Sequence, residues 1–288
     1  MNSEESRIRN ISDTARWVAE YRAEETERPD ALFRDPFARR LAGTRGREIT
    51  GAIPRQMQQR WAFITRTYLF DHFVADQVRQ GVDTVVNLAA GLDTRPYRMP
   101  LPPSLKWIEV DLPDLLAYKE GVLVNDTPVC SLERVALDLS DAAARRALFQ
   151  RIDAGATRTL VITEGLLIYL APDDVGRLAE DLAGRRTFRH WVIDIASPAL
   201  MQMMQKEMGD RLEQAGAPFK FAPPDGPHFF ERHGWRVDDR RSMLKTAAKI
   251  KRLSPMFRLL AMLPEASKPW SRVWSGVCLL AQDPHPRT

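Results

Sequence analysis

The run Val85-Val86-Asn87-Leu88-Ala89-Ala90-Gly91-Leu92-Asp93-Thr94-Arg95 constrains the fold more than any other stretch of the chain. A β-branched apolar segment stops at small residues and a glycine, and an acidic, helix-compatible segment follows. A parallel strand passes into a helix in this way where the backbone must approach a nucleotide-like ligand. Gly91 permits close approach or a positive φ, whereas Ala89 and Ala90 permit close approach only. Asp111 then ends the next apolar run, and an acid at that distance from a small-residue turn is the layout that grips a ribose. The turn lacks the full G-x-G-x-x-G of a nicotinamide or flavin site, so a close-packed turn without a ligand stays open at this point.

From Val82 onward, strands and helices alternate. Strands are predicted at 84–89, 106–110, 132–137, 159–163 and 188–195, and helices at 112–123, 141–152 and 172–184, with Asp141 and Asp173 as caps near two helix starts. Strands separated by such helical patterns imply a parallel sheet with helices on both faces and a ligand at the strands' carboxyl ends. Before Val82 the chain reads as helical. Asp13 caps a first segment, Asp35-Pro36 opens a second that Gly43 ends, and residues 55–79 form a third closed by Gly81. After Pro198 the rhythm breaks. A Met-rich helix at 199–215 precedes an irregular Gly- and Pro-rich loop around Gly216-Ala217-Pro218 and residues 222–227. A short helix at 228–233, a strand at 235–237, a basic helix at 243–262 and a last strand at 273–281 complete the chain. The basic helix reads as a surface helix with one buried stripe, with a membrane or an acidic partner as the alternative occupant of its outer face.

Composition excludes several classes. With 42 basic and 38 acidic side chains, the net charge of +4 is too balanced to argue for nucleic acid. Cys130 and Cys278 have no partner at metal-type spacing, so neither a zinc site nor a disulfide framework is expected, and a reducing cytoplasm fits. Residues 2–7 are polar, without an apolar signal-peptide core, and no uncharged run approaches the length of a membrane span. A monomer is the default expectation at this size. No Ser-His-Asp or Cys-His motif is evident.

Further residues fall at the ends of the predicted strands. Asp111 closes Trp107-Ile108-Glu109-Val110-Asp111-Leu112-Pro113, Asp138-Leu139 closes the third strand, and Glu164 opens Glu164-Gly165-Leu166-Leu167-Ile168-Tyr169-Leu170 after the fourth. All three acids therefore converge on one rim of the sheet. Arg66, in Ile64-Thr65-Arg66-Thr67-Tyr68, precedes the sheet. Together with Arg28-Pro29-Asp30-Ala31-Leu32-Phe33-Arg34-Asp35-Pro36-Phe37-Ala38 and Leu88 to Arg95, these motifs make the chain resemble the leucine carboxyl methyltransferase family, over about residues 12–281. The branch it most resembles is the bacterial one that includes polyketide carboxyl O-methyltransferases.

The resemblance implies an α/β class I methyltransferase-like Rossmann fold, with a mostly parallel seven-stranded sheet and helices on both faces. It implies an N-terminal helical cap (1–80) and an S-adenosylmethionine-dependent domain (81–288) with a lid insertion at about 197–232. The implied cofactor residues are Arg66 for the methionine carboxylate and Ala89 and Gly91 for backbone approach. Asp111 would serve the ribose hydroxyls, Asp138 and Leu139 adenine, and Glu164 the methionine end. Ala89 stands where many methyltransferases have a glycine, which should weaken cofactor binding without abolishing it. Asp93 contacts the methionine amine or, the commoner role, caps the next helix. Tyr169, His228 and His233 are acceptor-side candidates. No catalytic residue or metal is implied, because methyl transfer to a carboxylate of a small molecule needs only alignment and desolvation. A hydroxyl acceptor would want a base. The competing readings are a nicotinamide-dependent oxidoreductase, which leaves Arg66, Asp138 and the Glu164 motif unexplained, and an inactive cofactor-binding module.

Overall fold

In the computed structural model, which describes residues 11–52, 60–214 and 218–283, the inner strands form on mostly apolar runs and the two edge strands on charged ones. They are β1 (Thr84–Leu88), β2 (Lys106–Asp111), β3 (Ser131–Ala136), β4 (Thr159–Thr163), β5 (Phe188–Ala196), β6 (Trp235–Ser242) and β7 (Ser275–Gln282). They make one seven-stranded sheet in the order β3-β2-β1-β4-β5-β7-β6. Neighbours from β3 to β5 pair in parallel, and β7 runs antiparallel to both β5 and β6.

Parallel pairing requires long crossovers, which helices supply. Ahead of the sheet stand α1 (Ile11–Thr26), α2 (Ala38–Ala52) and α3 (Arg60–Arg79). Within it come α4 (Arg95–Arg98), α5 (Pro113–Val122), α6 (Ala142–Gly155) and α7 (Pro172–Ala183). After β5 come α8 (Pro198–Gln214), a 3-10 helix (Gly226–His233), α9 (Met243–Lys249) and α10 (Pro255–Ala261). Strand side chains alternate between faces. Val86, Val161, Trp191 and Ile193 meet Phe149 of α6 and Leu178 of α7 on one face. Val85, Leu160, Ile162 and Val192 meet Phe70 and Phe73 of α3 on the other. The strand order reverses between β1 and β4, which opens a crevice at their carboxyl ends.

Several local expectations change. Asp13 lies inside the first turn of α1 and pairs with Arg45 at 2.8 Å, so it ties α1 to α2. Gly43 (φ 63°, ψ −162°) leaves the helical conformation as expected, and a second helical stretch starts directly beyond it, so the range given for α2 spans a kink between two helices. Asp141 does cap α6, accepting from the backbone N–H groups of Ala143 and Ala144 at 3.0 Å. Asp173 sits inside α7, whose N-cap is Ala171. Gly81 (φ 91°) closes α3 with a paired 6→1 and 5→2 hydrogen-bond motif. The basic stretch forms two short helices, since Lys251 turns left-handed (φ 59°) and Pro255 starts α10 afresh. The strand at 235–237 extends to Ser242. Residues 2–7, residues 55–59 of the third helical segment, and Gly216-Ala217 lie outside the described residues.

Cys130 and Cys278 are buried and free, and burial pushes the Cys130 thiol up to about 11. Among the described residues, no helix is long and apolar enough to cross a membrane, and no cluster of side chains could hold a metal ion.

Candidate active site

A cavity of about 590 Å³ opens at the carboxyl ends of β1, β2, β4 and β5. That volume suits a cofactor-sized ligand together with a small second molecule. Arg66, Ala89, Gly91, Asp111, Asp138, Leu139, Glu164 and Tyr169 all line it. Chain segments up to 128 residues apart in sequence are thus brought to one rim.

The turn after β1 is pinned by the end of β2. The Gly91 N–H donates to Asp111 Oδ2 at 2.6 Å, and the Leu112 N–H donates to Oδ1 at 2.7 Å. Burial pushes the Asp111 carboxyl above the usual aspartate range, against the pull of those two N–H groups. Gly91 has φ 53°, and so, contrary to expectation, does its neighbour Ala89 at 52°. Left-handed backbone costs an L-residue roughly 1–2 kcal/mol and costs glycine little. Ala89→Gly should therefore leave stability unchanged or raise it by up to about 0.5 kcal/mol, although alanine-to-glycine changes elsewhere lose about 0.5–1 kcal/mol. Urea unfolding checks this, and a loss above about 1 kcal/mol would contradict the strain argument.

Behind the turn lies a chain of buried charges. Arg95 is 2% exposed and donates to Asp71 at 2.7 Å and Asp93 at 2.9 Å, and its Nη2 lies 2.8 Å from Glu164 Oε2. Arg98 shares Asp71, with contacts at 2.7 and 2.8 Å. Burial disfavours the Asp93 carboxylate, but Arg95, Lys119 and Arg98 outweigh it and hold the group down at about 2. Asp93 stands one residue ahead of Thr94, the N-cap of α4; its Oδ1 accepts from the Arg95 N–H at 2.9 Å, and its Oδ2 accepts from Asn87 at 2.7 Å.

Arg66 reaches in from α3. Its Nε meets Glu164 and its Nη1 meets Asp194, each at 3.2 Å, and its Nη2 makes no hydrogen bond among the described residues. The Gly165 N–H fixes Asp194 at 2.7 Å. Gly165 (φ 71°) also makes room for the guanidinium, since a Cβ there would lie 3.0 Å from Arg66 Nη1. Around Arg66 and Arg95 stand the carboxylates of Asp93, Asp111, Glu164 and Asp194, and Arg22 and Arg98 line the same wall. Acids and guanidinium groups side by side offer partners to both the cationic and the anionic groups of one ligand.

Asp138 is exposed, and the Ser140 backbone N–H holds its carboxyl below the usual range. The Leu139 carbonyl accepts from Arg145 at 2.6 Å while its side chain packs on the core. Tyr169 stacks obliquely on Phe219, with ring centroids 5.7 Å apart, and burial raises its phenol so that it stays a donor. His228 and His233 are not brought to the cavity. The 3-10 helix carries His233 to the flank of α7, where it bonds Glu180 at 2.9 Å against Gly176, while His228 bonds Glu231 of the same 3-10 helix at 2.6 Å beside Trp270. Glu109 also stays out of the cavity, fully buried between Lys119 at 2.7 Å and Arg134 at 3.0 Å.

Sequence reasoning missed Asp71, Arg95, Arg98 and Asp194. Only Asp194 carried a usable signal, as an acid near the carboxyl end of a parallel strand.

A family model described as leucine carboxyl methyltransferase matches residues 15–183, which include most of α1, the turn after β1 and the acids at the ends of β2 and β4. The chain belongs to the leucine carboxyl methyltransferase family. A relative from Mycobacteroides abscessus, provisionally named an S-adenosyl-L-methionine-dependent methyltransferase, is 31% identical over 79% of this chain and 85% of its own. A second, from Parafrankia sp. and similarly named, is 36% identical over 60% of this chain and 58% of its own, so the chain spans less than two thirds of that protein. A methyltransferase-like crystal structure from Thermobifida fusca superposes with a TM-score of 0.53 at 16% identity, covering 78% of this chain and 82% of that one. The fold of this family member is accordingly that of class I methyltransferases.

Proposed function

We propose that this methyltransferase moves the sulfonium methyl of S-adenosylmethionine to a carboxylate oxygen of a small, largely apolar molecule. The observation that carries the reading is the make-up of the cavity wall. It joins a cofactor-type rim to an apolar chamber of Trp17, Trp61, Phe63, Leu200, Met204 and Phe219, and no histidine lines it among the described residues. An acceptor ionised at neutral pH needs no base to attack.

In this reading Asp111 accepts from the ribose hydroxyls. Asp138 and Leu139 border adenine. The free Nη2 of Arg66 takes the methionine carboxylate, and Glu164 and Asp194 face the cofactor's positive groups. The donor set fits, because the cofactor's two positive charges find carboxylates and its one carboxylate finds a guanidinium in the same wall. When bound, S-adenosylmethionine supplies the electrophilic methyl. The chain's own part is to align the acceptor and exclude water, with residues 1–80 and the segment about 197–232 closing over it. A reducing cytoplasm and a monomeric state accord with the two buried free thiols and the default for this size.

The test is labelled methyl transfer to a panel of apolar carboxylic acids and matched alcohols, with calorimetric titration of S-adenosylmethionine and NADH beside it. The expected product is a methyl ester, whose label is released as methanol in mild alkali. A base-stable label would place the methyl on a hydroxyl, and binding of NADH alone would reject the cofactor.

A further inference from the structure

Large apolar side chains are rarely exposed in this molecule, and where they are, they cluster. Of ten such residues among those described, six fall between Met256 and Val273. Met256, Leu259, Met262 and Leu263 are each 63–78% exposed. Met256 and Leu259 share the outer face of α10 and the next turn carries Met262 and Leu263, while Ala261 turns inward onto Ala247 and Leu253. A helix lying on water has a polar outer face. This one is apolar on both sides, and a contiguous exposed apolar patch marks an interaction surface.

The charges around the patch indicate what covers it. Residues 243–273 contain seven cations and one acid, Glu265, which accepts a hydrogen bond from Trp274 at 2.8 Å. Lys249, Lys251, Lys268 and Arg272 are exposed and form no salt bridge among the described residues. Arg252 is committed elsewhere. It pairs with Glu25 at 2.7 Å and Asp30 at 3.0 Å, which fixes the segment against the last turn of α1 and the chain just beyond it. An exposed apolar tip flanked in the chain by cations that form no salt bridge among the described residues matches an anionic bilayer, which takes up the tip without shape complementarity and attracts the cations. A second copy of the chain would set the same cations against one another.

We propose that α10 and the turn after it, with the flanking lysines and Arg272, seat this protein on an anionic lipid surface. The anchor lies against the cavity wall, since Trp61 packs on the Ala247-Leu253-Ala261 cluster and also lines the cavity. The inference is independent of the proposed acceptor.

Co-sedimentation with vesicles tests it, comparing phosphatidylcholine alone with phosphatidylcholine containing about one third phosphatidylglycerol. The protein should bind the anionic vesicles at least about tenfold more tightly, and less tightly as salt rises. Leu259→Glu with Leu263→Glu should weaken that binding at least about tenfold while leaving the unfolding midpoint and S-adenosylmethionine affinity unchanged. Lys268→Glu with Arg272→Glu should do the same without touching the apolar tip. Absence of binding to either vesicle, or binding that neither pair of changes alters, would overturn the proposal. So would a concentration-dependent dimer abolished by the leucine changes, which would assign the patch to a second copy.

Discussion

Arg95→Ala is expected to destabilise the protein by about 3–5 kcal/mol, the range for removing one partner from a buried ion pair. Arg95 is a severe case because three carboxylates, those of Asp71, Asp93 and Glu164, converge on one buried guanidinium. Arg98 can still compensate Asp71 and Arg66 can still compensate Glu164, but Asp93 would lose its principal cation. The pH dependence identifies the cause. In the native protein Asp93 is depressed to about 2, so it contributes stability above its unfolded value that is lost as pH falls through about 2. Without Arg95, burial would dominate and raise that carboxyl above its unfolded value. The folded state would then bind the extra proton, so the deficit should shrink between about pH 7 and about pH 5. Urea unfolding at the two pH values measures both effects. A loss below about 1 kcal/mol, or one that does not change with pH, would mean that the carboxylates are solvated without Arg95.

Asp111→Ala is expected to weaken S-adenosylmethionine binding by roughly 1.5–3 kcal/mol, about 10- to 100-fold. Two losses combine. A charged acceptor for the ribose hydroxyls disappears, and so does the hydrogen bond that holds the Gly91 N–H and with it the turn after β1. Because burial raises the Asp111 carboxyl, it takes up a proton at a higher pH than an ordinary aspartate. Native affinity should therefore start to fall on acidification before the usual aspartate range is reached, and Asp111→Asn should remove that step from the profile. Calorimetric titration across pH reads both predictions. An affinity within about twofold of the native value would take Asp111 out of the site.

The residues that were legible in advance share a property. Gly91, Asp111, Asp138 and Glu164 each stand at or just beyond the end of a predicted strand, and in a parallel sheet every such end faces the same rim. Strand periodicity therefore located them without any knowledge of packing. Arg95 and Arg98 gave no such sign, because an Arg-Pro-Tyr-Arg stretch reads as solvated surface until Asp71 of α3 is known to lie beneath it. That His228 and His233 lie away from the cavity was hidden for a related reason. Their position in a Gly- and Pro-rich segment made an acceptor role reasonable, and only the packing of the 3-10 helix on α7 shows that they face Glu231 and Glu180. The left-handed conformation of Ala89 was hidden as well, since an alanine does not signal a positive φ.

The sequence by itself determined the parallel α/β core, the turn after β1 and the rim of acids, because two-residue and helical periodicities and strand ends are local properties of the chain. Tertiary structure alone decided which charges share a partner, that carboxylates and guanidinium groups meet in one cavity wall, and that α10 turns apolar side chains outward. Those facts depend on burial and on distances between segments far apart in the chain, and a one-dimensional pattern contains neither.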